Sequence, residues 1–201
     1  LIFPVQLLQI AKQRGVSCFI NTDTILDKRV NYYSLSKKQF KEWCEVYSND
    51  FVCVNIALEH FYGPSDDDTK FVSYIINNLI RNVPKIDLTE GLQERDFIYI
   101  DDVISAFMLI IKNIESLETN FQHYEISTNN FMTIKDFVEQ AKKIAQSDTE
   151  LNFGAIPYRE NEVMKFDINT EAIRKLLWEP KTSISMGLHK TIDFERNKQK
   201  L

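Results

Sequence analysis

Two short apolar runs, Val16-Ser17-Cys18-Phe19-Ile20 and Phe51-Val52-Cys53-Val54-Asn55-Ile56-Ala57-Leu58, constrain the fold more than any other feature of the chain. Runs of this length and composition are the signature of strands buried on both faces. Each is preceded by a segment with helical spacing. Residues 4–14 (PVQLLQIAKQR) carry apolar positions at that spacing after a Pro, with Gly15 as a stop. A second helix is expected from about Tyr32 to Tyr47. Helix, strand, helix, strand is the rhythm of a parallel α/β sheet.

Beyond Gly63 the rhythm loosens. A loop rich in Ser and Asp, Pro64 to Thr69, leads into a helix through Leu79, and a short strand follows Arg95. Asp101 and Asp102 are placed to cap a helix from Val103 to about Ile114. Tyr124-Glu125-Ile126 reads as a strand, and Thr133-x-x-Asp136 opens a further helix as a near capping box. The tail from Phe153 reads as a Pro-rich loop and two short helices.

A hydrophobic content of 44% over 201 residues supports a substantial core. The net charge of −5 argues against a protein that wraps nucleic acid, and the short runs Lys37-Lys38 and Lys142-Lys143 read as solvated helix faces. Three cysteines without a C-x-x-C spacing suggest no metal site, and Cys18 and Cys53 read as buried small hydrophobes. No run approaches the roughly 18 apolar residues of a membrane span, and no leader pattern is visible, so a cytoplasmic setting without membrane contact is expected. With only five glycines, none in a G-x-G-x-x-G pattern, the chain has no glycine-rich phosphate loop. It begins at Leu1 and is expected to be a piece of something longer.

Tyr33-Ser34-Leu35-Ser36-Lys37 opens the second helix. Residues i and i+4 share a helix face, so phenol and ammonium can point into one cleft. A cation beside a phenol favours the phenolate, which suits a general acid or base at a carbonyl or carbinol. Tyr32, offset by one residue, lacks a partner at i+4 and is expected to pack.

These pieces occur in the order of a known family. The strand end Ile20-Asn21-Thr22-Asp23-Thr24, the Tyr33-x-x-x-Lys37 pair, Leu58-Glu59-His60-Phe61-Tyr62-Gly63-Pro64 and the Arg95-Asp96-Phe97-Ile98-Tyr99-Ile100-Asp101-Asp102 stretch follow one another. Pro157-Tyr158-Arg159 and Leu177-Trp178-Glu179-Pro180 close the series. Together they resemble the extended short-chain dehydrogenase/reductase family, in its sugar-nucleotide epimerase/dehydratase/reductase branch. The resemblance implies an α/β fold: the C-terminal part of a Rossmann-type parallel sheet with a small α+β substrate-binding subdomain, its glycine-rich half absent. Residues 1–62 would be the remaining dinucleotide-binding part and 63–201 mainly the nucleotide-sugar subdomain with returning sheet elements. At roughly 30 residues per βαβ unit, about a hundred residues would be missing.

What the resemblance implies for single residues is specific. Thr22 would hydrogen-bond the sugar oxygen on which Tyr33 acts as acid or base, and Lys37 would hold the ribose of NAD or NADP. As a residue, Thr22 could equally be a strand-end hydroxyl capping a turn. Arg95 and Arg159 would clamp the diphosphate of a nucleoside-diphosphate sugar; an ion pair of Arg95 with Asp96 or Asp102 is the structural alternative. Lys70 would reach the nucleotide, or be a solvated helix lysine, and Asn130 would add a weaker contact. His60 replaces the family's Asn before Tyr-Gly-Pro and is carried over as a contact to cofactor and substrate. Asp23 and Thr24, carried over as substrate contacts, stand where dehydratases have an Asp-Glu pair, so a dehydratase is disfavoured. Only ten residues separate Thr22 from Tyr33, which resembles the 4-ketosugar reductases of the branch. The expected activity is NAD(P)-dependent reduction of the C4 keto group of a nucleoside-diphosphate 4-keto-6-deoxysugar, in surface polysaccharide synthesis. A 4-epimerase and a non-catalytic sugar-nucleotide-binding remnant are the alternatives. The family also implies a homodimer through the Tyr/Lys helix, with which the apolar Phe40, Trp43 and Val46 are compatible, as they equally are with core packing.

Overall fold

The computed structural model describes residues 1–117 and 119–198. The chain opens with α1 (Ile2–Gln13), β1 (Cys18–Thr24), α2 (Tyr32–Tyr47) and β2 (Val52–Leu58). It continues through β3 (His60–Tyr62), α3 (Phe71–Ile80), β4 (Lys85–Asp87), β5 (Glu94–Arg95), β6 (Phe97–Tyr99) and α4 (Ile100–Lys112). The remainder holds β7 (Phe121–Ile126), β8 (Met132–Thr133), α5 (Ile134–Ala145), β9 (Glu150–Asn152), α6 (Glu171–Lys175) and α7 (Ile184–Lys198). Two compact units share these elements. The first takes Leu1–Glu59, Val103–Asn129 and Asp167–Glu179; the second takes His60–Asp102, Asn130–Phe166 and Pro180–Leu201.

The first unit is built on a parallel sheet in the order β1-β2-β7. Central β2 is buried along its middle five residues, as its apolar run requires. Strand β1 starts two residues later than Val16 and is only half-buried over Cys18, Phe19 and Ile20. The expectation of burial on both faces is not met there: among the described residues β1 pairs only with β2, and fewer neighbours cover it. Under α2, Phe40 and Cys44 meet Cys53 and Phe19, and α1 adds Leu8 and Ala11 to the same cluster. All three cysteines are free thiols, and burial pushes that of Cys18 up. Phe40 belongs to this core, whereas Trp43 and Val46 on the same helix are exposed.

A polar row crosses this sheet. Register aligns Asn21, Asn55 and His123 on the three strands, and two residues on it aligns Asp23, Ala57 and Glu125 on the same face. Asn21 Nδ2 donates to Asn55 Oδ1 at 2.6 Å, and Asn55 Nδ2 reaches Asp23 Oδ2 at 3.0 Å and His123 Nδ1 at 2.9 Å. Asn55 therefore spends both amide hydrogens and its carbonyl, which is what full burial of the side chain demands. Since His123 Nδ1 accepts, its proton sits on Nε2, directed at Glu125 Oε1 at 3.3 Å. Glu125 Oε2 accepts the Asn169 N–H at 2.8 Å. Burial pushes the Glu125 carboxyl up, but the hydrogen bonds from His123 and Asn169, with the nearby Lys38 charge, outweigh it and hold it below the ordinary value.

The second unit pairs its short strands as β3-β6 and β4-β9, both parallel, and β5-β8, antiparallel. Its core gathers Tyr62, Ile75, Leu79, Phe97, Phe137 and Ile192, with Phe97 and Phe137 stacked at 3.7 Å between ring centroids. Tyr62 is buried, which pushes its phenol well above the ordinary value. Helix α7 runs fifteen residues, longer than the short helix expected, because Leu188, Thr191, Ile192 and Glu195 form one buried stripe. Helix α4 starts at Ile100, not Val103, which puts Asp101 and Asp102 inside its first turn, where the helix dipole favours carboxylates. Asp102 also accepts the N–H groups of Lys181 and Thr182, each at 2.9 Å. The Thr133 capping interaction forms as expected, its hydroxyl accepting the Asp136 N–H at 3.0 Å. Among the described residues no helix is long and apolar enough to cross a membrane, and no cluster of His, Cys, Asp or Glu could hold a metal ion.

Two outcomes follow from this packing. A Cβ at Gly187 would collide with the Tyr62 phenol and the Tyr99 ring. Gly187→Ala is expected to destabilise the protein by about 1–3 kcal/mol in urea unfolding, the usual cost of overpacking. For Glu125, a folded-state pKa below the unfolded one means that its stabilisation is present above the unfolded value near ~4.3 and lost as pH falls through the lowered folded value. Glu125→Gln is therefore expected to flatten that part of the acid limb in unfolding curves recorded at successive pH values.

Candidate active site

Helix α2 owes its start to Asn31. The Asn31 side chain accepts the Ser34 N–H at 2.8 Å, and Ser34 Oγ accepts the Asn31 N–H at 3.2 Å, a reciprocal cap that uses two of the helix's unpaired donors. With that start, Tyr33 lies in the first turn and Lys37 one turn on. The connection before the cap is held by its own ion pair. Arg29 Nε donates to Asp27 Oδ1 at 2.8 Å and its N–H to the same oxygen at 2.9 Å, holding that carboxyl down at about 2.

Lys37 brings the expected trio together. Its Nζ lies 5.8 Å from the centroid of the Tyr33 ring and donates to the Thr22 carbonyl oxygen at 2.7 Å. Thr22 is exposed and Tyr33 is 55% exposed, so hydroxyl and phenol both stand open to a ligand. Tyr32 does not pack: it is 92% exposed, because the first turn directs it away from the sheet. Nor is Lys37-Lys38 a solvated run. Lys38 Nζ pairs with Asp23 Oδ2 at 3.2 Å and donates to the Thr24 carbonyl at 2.5 Å.

Asp23 and Thr24 differ from their expected role. The Asp23 side chain is fully buried, and its oxygens are taken by Asn55, Lys38 and the Thr24 N–H. Thr24 is buried as well, and its hydroxyl accepts the Leu26 N–H at 3.3 Å. Strand alternation explains the burial of Asp23, which falls on the face that α2 covers; Thr24 lies on the opposite face. The Asp23 carboxylate thus has no exposed oxygen, and the Thr24 hydroxyl is engaged with its own backbone turn.

The other expected residues lie in the second unit. Arg95 is buried; its guanidinium donates to Glu162 and to the Glu94 carbonyl, and packs 4.9 Å from the Phe166 ring centroid. Its acidic partner is thus Glu162, supplied by the segment that also carries Arg159. Arg159 and Asn130 are exposed in loops. Lys70 is exposed, pairs with Asp66 at 2.8 Å and sits 5.0 Å from the Phe61 ring centroid. His60 is half-buried, edge-on to Phe97. Asn21, Asn55, Lys38 and His123 did not figure among the expected site residues. The signal was present at Asn55, an amide inside a run otherwise fit for burial on both faces.

An exposed phenol, an ammonium within one turn of it and a strand-end hydroxyl form a donor set that fits the nicotinamide-ribose end of a dinucleotide. Beyond its bond to the Thr22 carbonyl, the Lys37 ammonium keeps two further hydrogens to donate. The five glycines of the sequence provide no matching turn for the diphosphate end.

Comparison with known proteins bears on the same residues. The NAD dependent epimerase/dehydratase family matches residues 6–127. The chain is 32% identical over 203 residues to CDP-abequose synthase of Salmonella muenchen, covering 96% of this chain and 68% of that protein. It is 33% identical over 199 residues to CDP-abequose synthase of Salmonella typhimurium, covering 94% and 66%. A dTDP-D-glucose 4,6-dehydratase of Mus musculus is 27% identical, covering 94% and 59%. The chain thus spans about two thirds of the length of these relatives. In fold it is similar to UDP-glucose 4-epimerase of Thermotoga maritima, with a TM-score of 0.87 at 22% identity over 99% of this chain and 70% of that one. The Thermus thermophilus UDP-glucose 4-epimerase in complex with NAD gives a TM-score of 0.85 at 20% identity, over 98% and 69%. With the Tyr33/Lys37 pair and the parallel sheet in place, the match over most of the sheet-forming half leads to one conclusion: this chain belongs to the NAD-dependent epimerase/dehydratase family.

Proposed function

We propose that the chain is the tyrosine-bearing part of a reductase acting on the C4 carbonyl of a nucleoside-diphosphate 4-keto-6-deoxysugar. The observation that carries this reading is Lys37, which joins the exposed Tyr33 ring to the strand end at Thr22. When bound, NAD in its reduced form, or NADP, supplies hydride-transfer chemistry at that carbonyl. The chain's own contribution is protonic. Thr22 donates a hydrogen bond to the carbonyl oxygen, and Tyr33 delivers a proton to it as negative charge develops. The Lys37 ammonium stabilises the phenolate that remains. In the second unit, Arg159 has an exposed guanidinium suited to a phosphate, and Arg95 braces the same segment through Glu162. The inward turn of Asp23 supports reduction over dehydration, because an acid buried against Lys38 is removed from a sugar carbon. Identities of 32% and 33% to CDP-abequose synthases, against 24% to the UDP-glucose 4-epimerase of Mycolicibacterium smegmatis, favour the reductase over the epimerase reading.

The test uses the full-length protein with CDP- and dTDP-4-keto-6-deoxysugars, following consumption of NADH or NADPH. Tyr33→Phe is expected to lower turnover by at least ~100-fold, in the range of a lost general acid, with the nucleotide-sugar dissociation constant held within about twofold. Unchanged turnover would remove Tyr33 from the chemistry.

A further inference from the structure

We infer that Lys38, Asp23 and Asn55 form a buried clamp that positions the Thr22 strand end against the helix carrying Tyr33 and Lys37; this rests on the reductase reading above. Lys37 and Lys38 are neighbours on α2, yet they reach carbonyls two residues apart on β1, those of Thr22 and Thr24. Carbonyls two residues apart in a strand point to the same edge. The two ammoniums therefore hold the same stretch of backbone at two points, which sets its height along the helix as well as its distance from it.

What distinguishes Lys38 is its second partner. The Asp23 side chain is fully buried and that of Lys38 is 23% exposed. Asp23 Oδ1 accepts the Thr24 N–H at 2.7 Å, while Oδ2 accepts from both Lys38 and Asn55. Asn55 is in turn fixed by Asn21 and His123 on the two flanking strands. A chain of hydrogen bonds thus runs from β7 through β2 to β1 and ends on α2, one residue from Lys37. Such a pair stabilises a fold little compared with apolar packing, because the Asp23 carboxylate is fully desolvated and Lys38 partly so. Its geometric effect is larger: neither the carboxylate nor the ammonium can rotate without stranding the other. Lys38 and Asp23 touch no reacting atom in this account. They act through Thr22 and Lys37, and are positioning residues.

The experiment compares Lys38→Met, which keeps most of the aliphatic stem, with Lys38→Arg, which keeps the charge, both in the full-length protein. For Lys38→Met, kcat is expected to fall at least ~10-fold while KM for the nucleotide sugar stays within about twofold, as misplacement of catalytic groups predicts. Lys38→Arg should restore most of the loss. A second readout needs no turnover: amide hydrogen exchange without ligands should rise about tenfold over Thr22–Leu26 in Lys38→Met, with β7 unaltered. Should Lys38→Met not fold, Asp23→Asn takes the same two readouts, since it keeps an acceptor for Asn55 and removes the ion pair. A lowered melting temperature with unchanged kcat and unchanged exchange at the strand end would overturn the clamp. Retention of turnover by Tyr33→Phe would sink the reductase reading alone, because the exchange measurement still decides whether the strand end is held.

Discussion

Asn55 is a wholly buried amide at the centre of the sheet, and the first unit is organised around keeping it satisfied. An amide left unpaired at such a depth costs about 1–3 kcal/mol for each unmet group. Here the cost is met from three directions: Asn21 on one side, His123 on the other and Asp23 one row along. These partners lie in register, so satisfying Asn55 also fixes how the three strands slide against one another. A one-residue slip would turn every member of the row onto the opposite face. Apolar strands can tolerate near-degenerate registers; this row removes the degeneracy.

Much of the fold was legible because it depends on local signals. The α2 boundaries at Tyr32 and Tyr47 follow from a capping residue and a helical apolar period, and both are written in adjacent residues. The Thr133 cap and central β2 are similar cases. The starts of β1 and α4 were displaced because the deciding facts are long-range. Cys18 begins its strand where Val52 can pair with it, and Asp102 sits where Lys181 and Thr182, some eighty residues on, need acceptors. The candidate site divides along the same line. Spacing alone places Tyr33 and Lys37 together. No spacing rule says that Asp23 faces inward, that Lys38 reaches in to pair with it, or that Arg95 answers to Glu162.

The second unit shows how a family motif can be structural. Tyr62 and Gly63, within the Tyr-Gly-Pro segment, are both buried: the tyrosine fills the core, and the glycine leaves room for Ile100. Tyr62 packs edge-on to Tyr99 and Phe137, and its hydroxyl donates to the Ile184 carbonyl at 3.3 Å. Burial raises its pKa, which suits a neutral packing residue and contrasts with the exposed phenol of Tyr33. Two tyrosines in motifs of one family thus differ in setting, Tyr62 in the core and Tyr33 at the surface.

The alternation of peptide groups along β1 gives its lysine contacts a further meaning. Ser17 accepts the Val52 N–H, and Ile25 donates to the Leu58 carbonyl, so the odd-numbered groups face β2 and the even-numbered ones face the other edge. The Thr22 and Thr24 carbonyls lie on that outer edge, and each already accepts from an ammonium. Any strand lying along that edge would meet both ammoniums at the last residues of β1 before gaining a backbone bond there. The same two lysines that hold the strand end in place thus also limit how far toward Thr24 a neighbouring strand can pair.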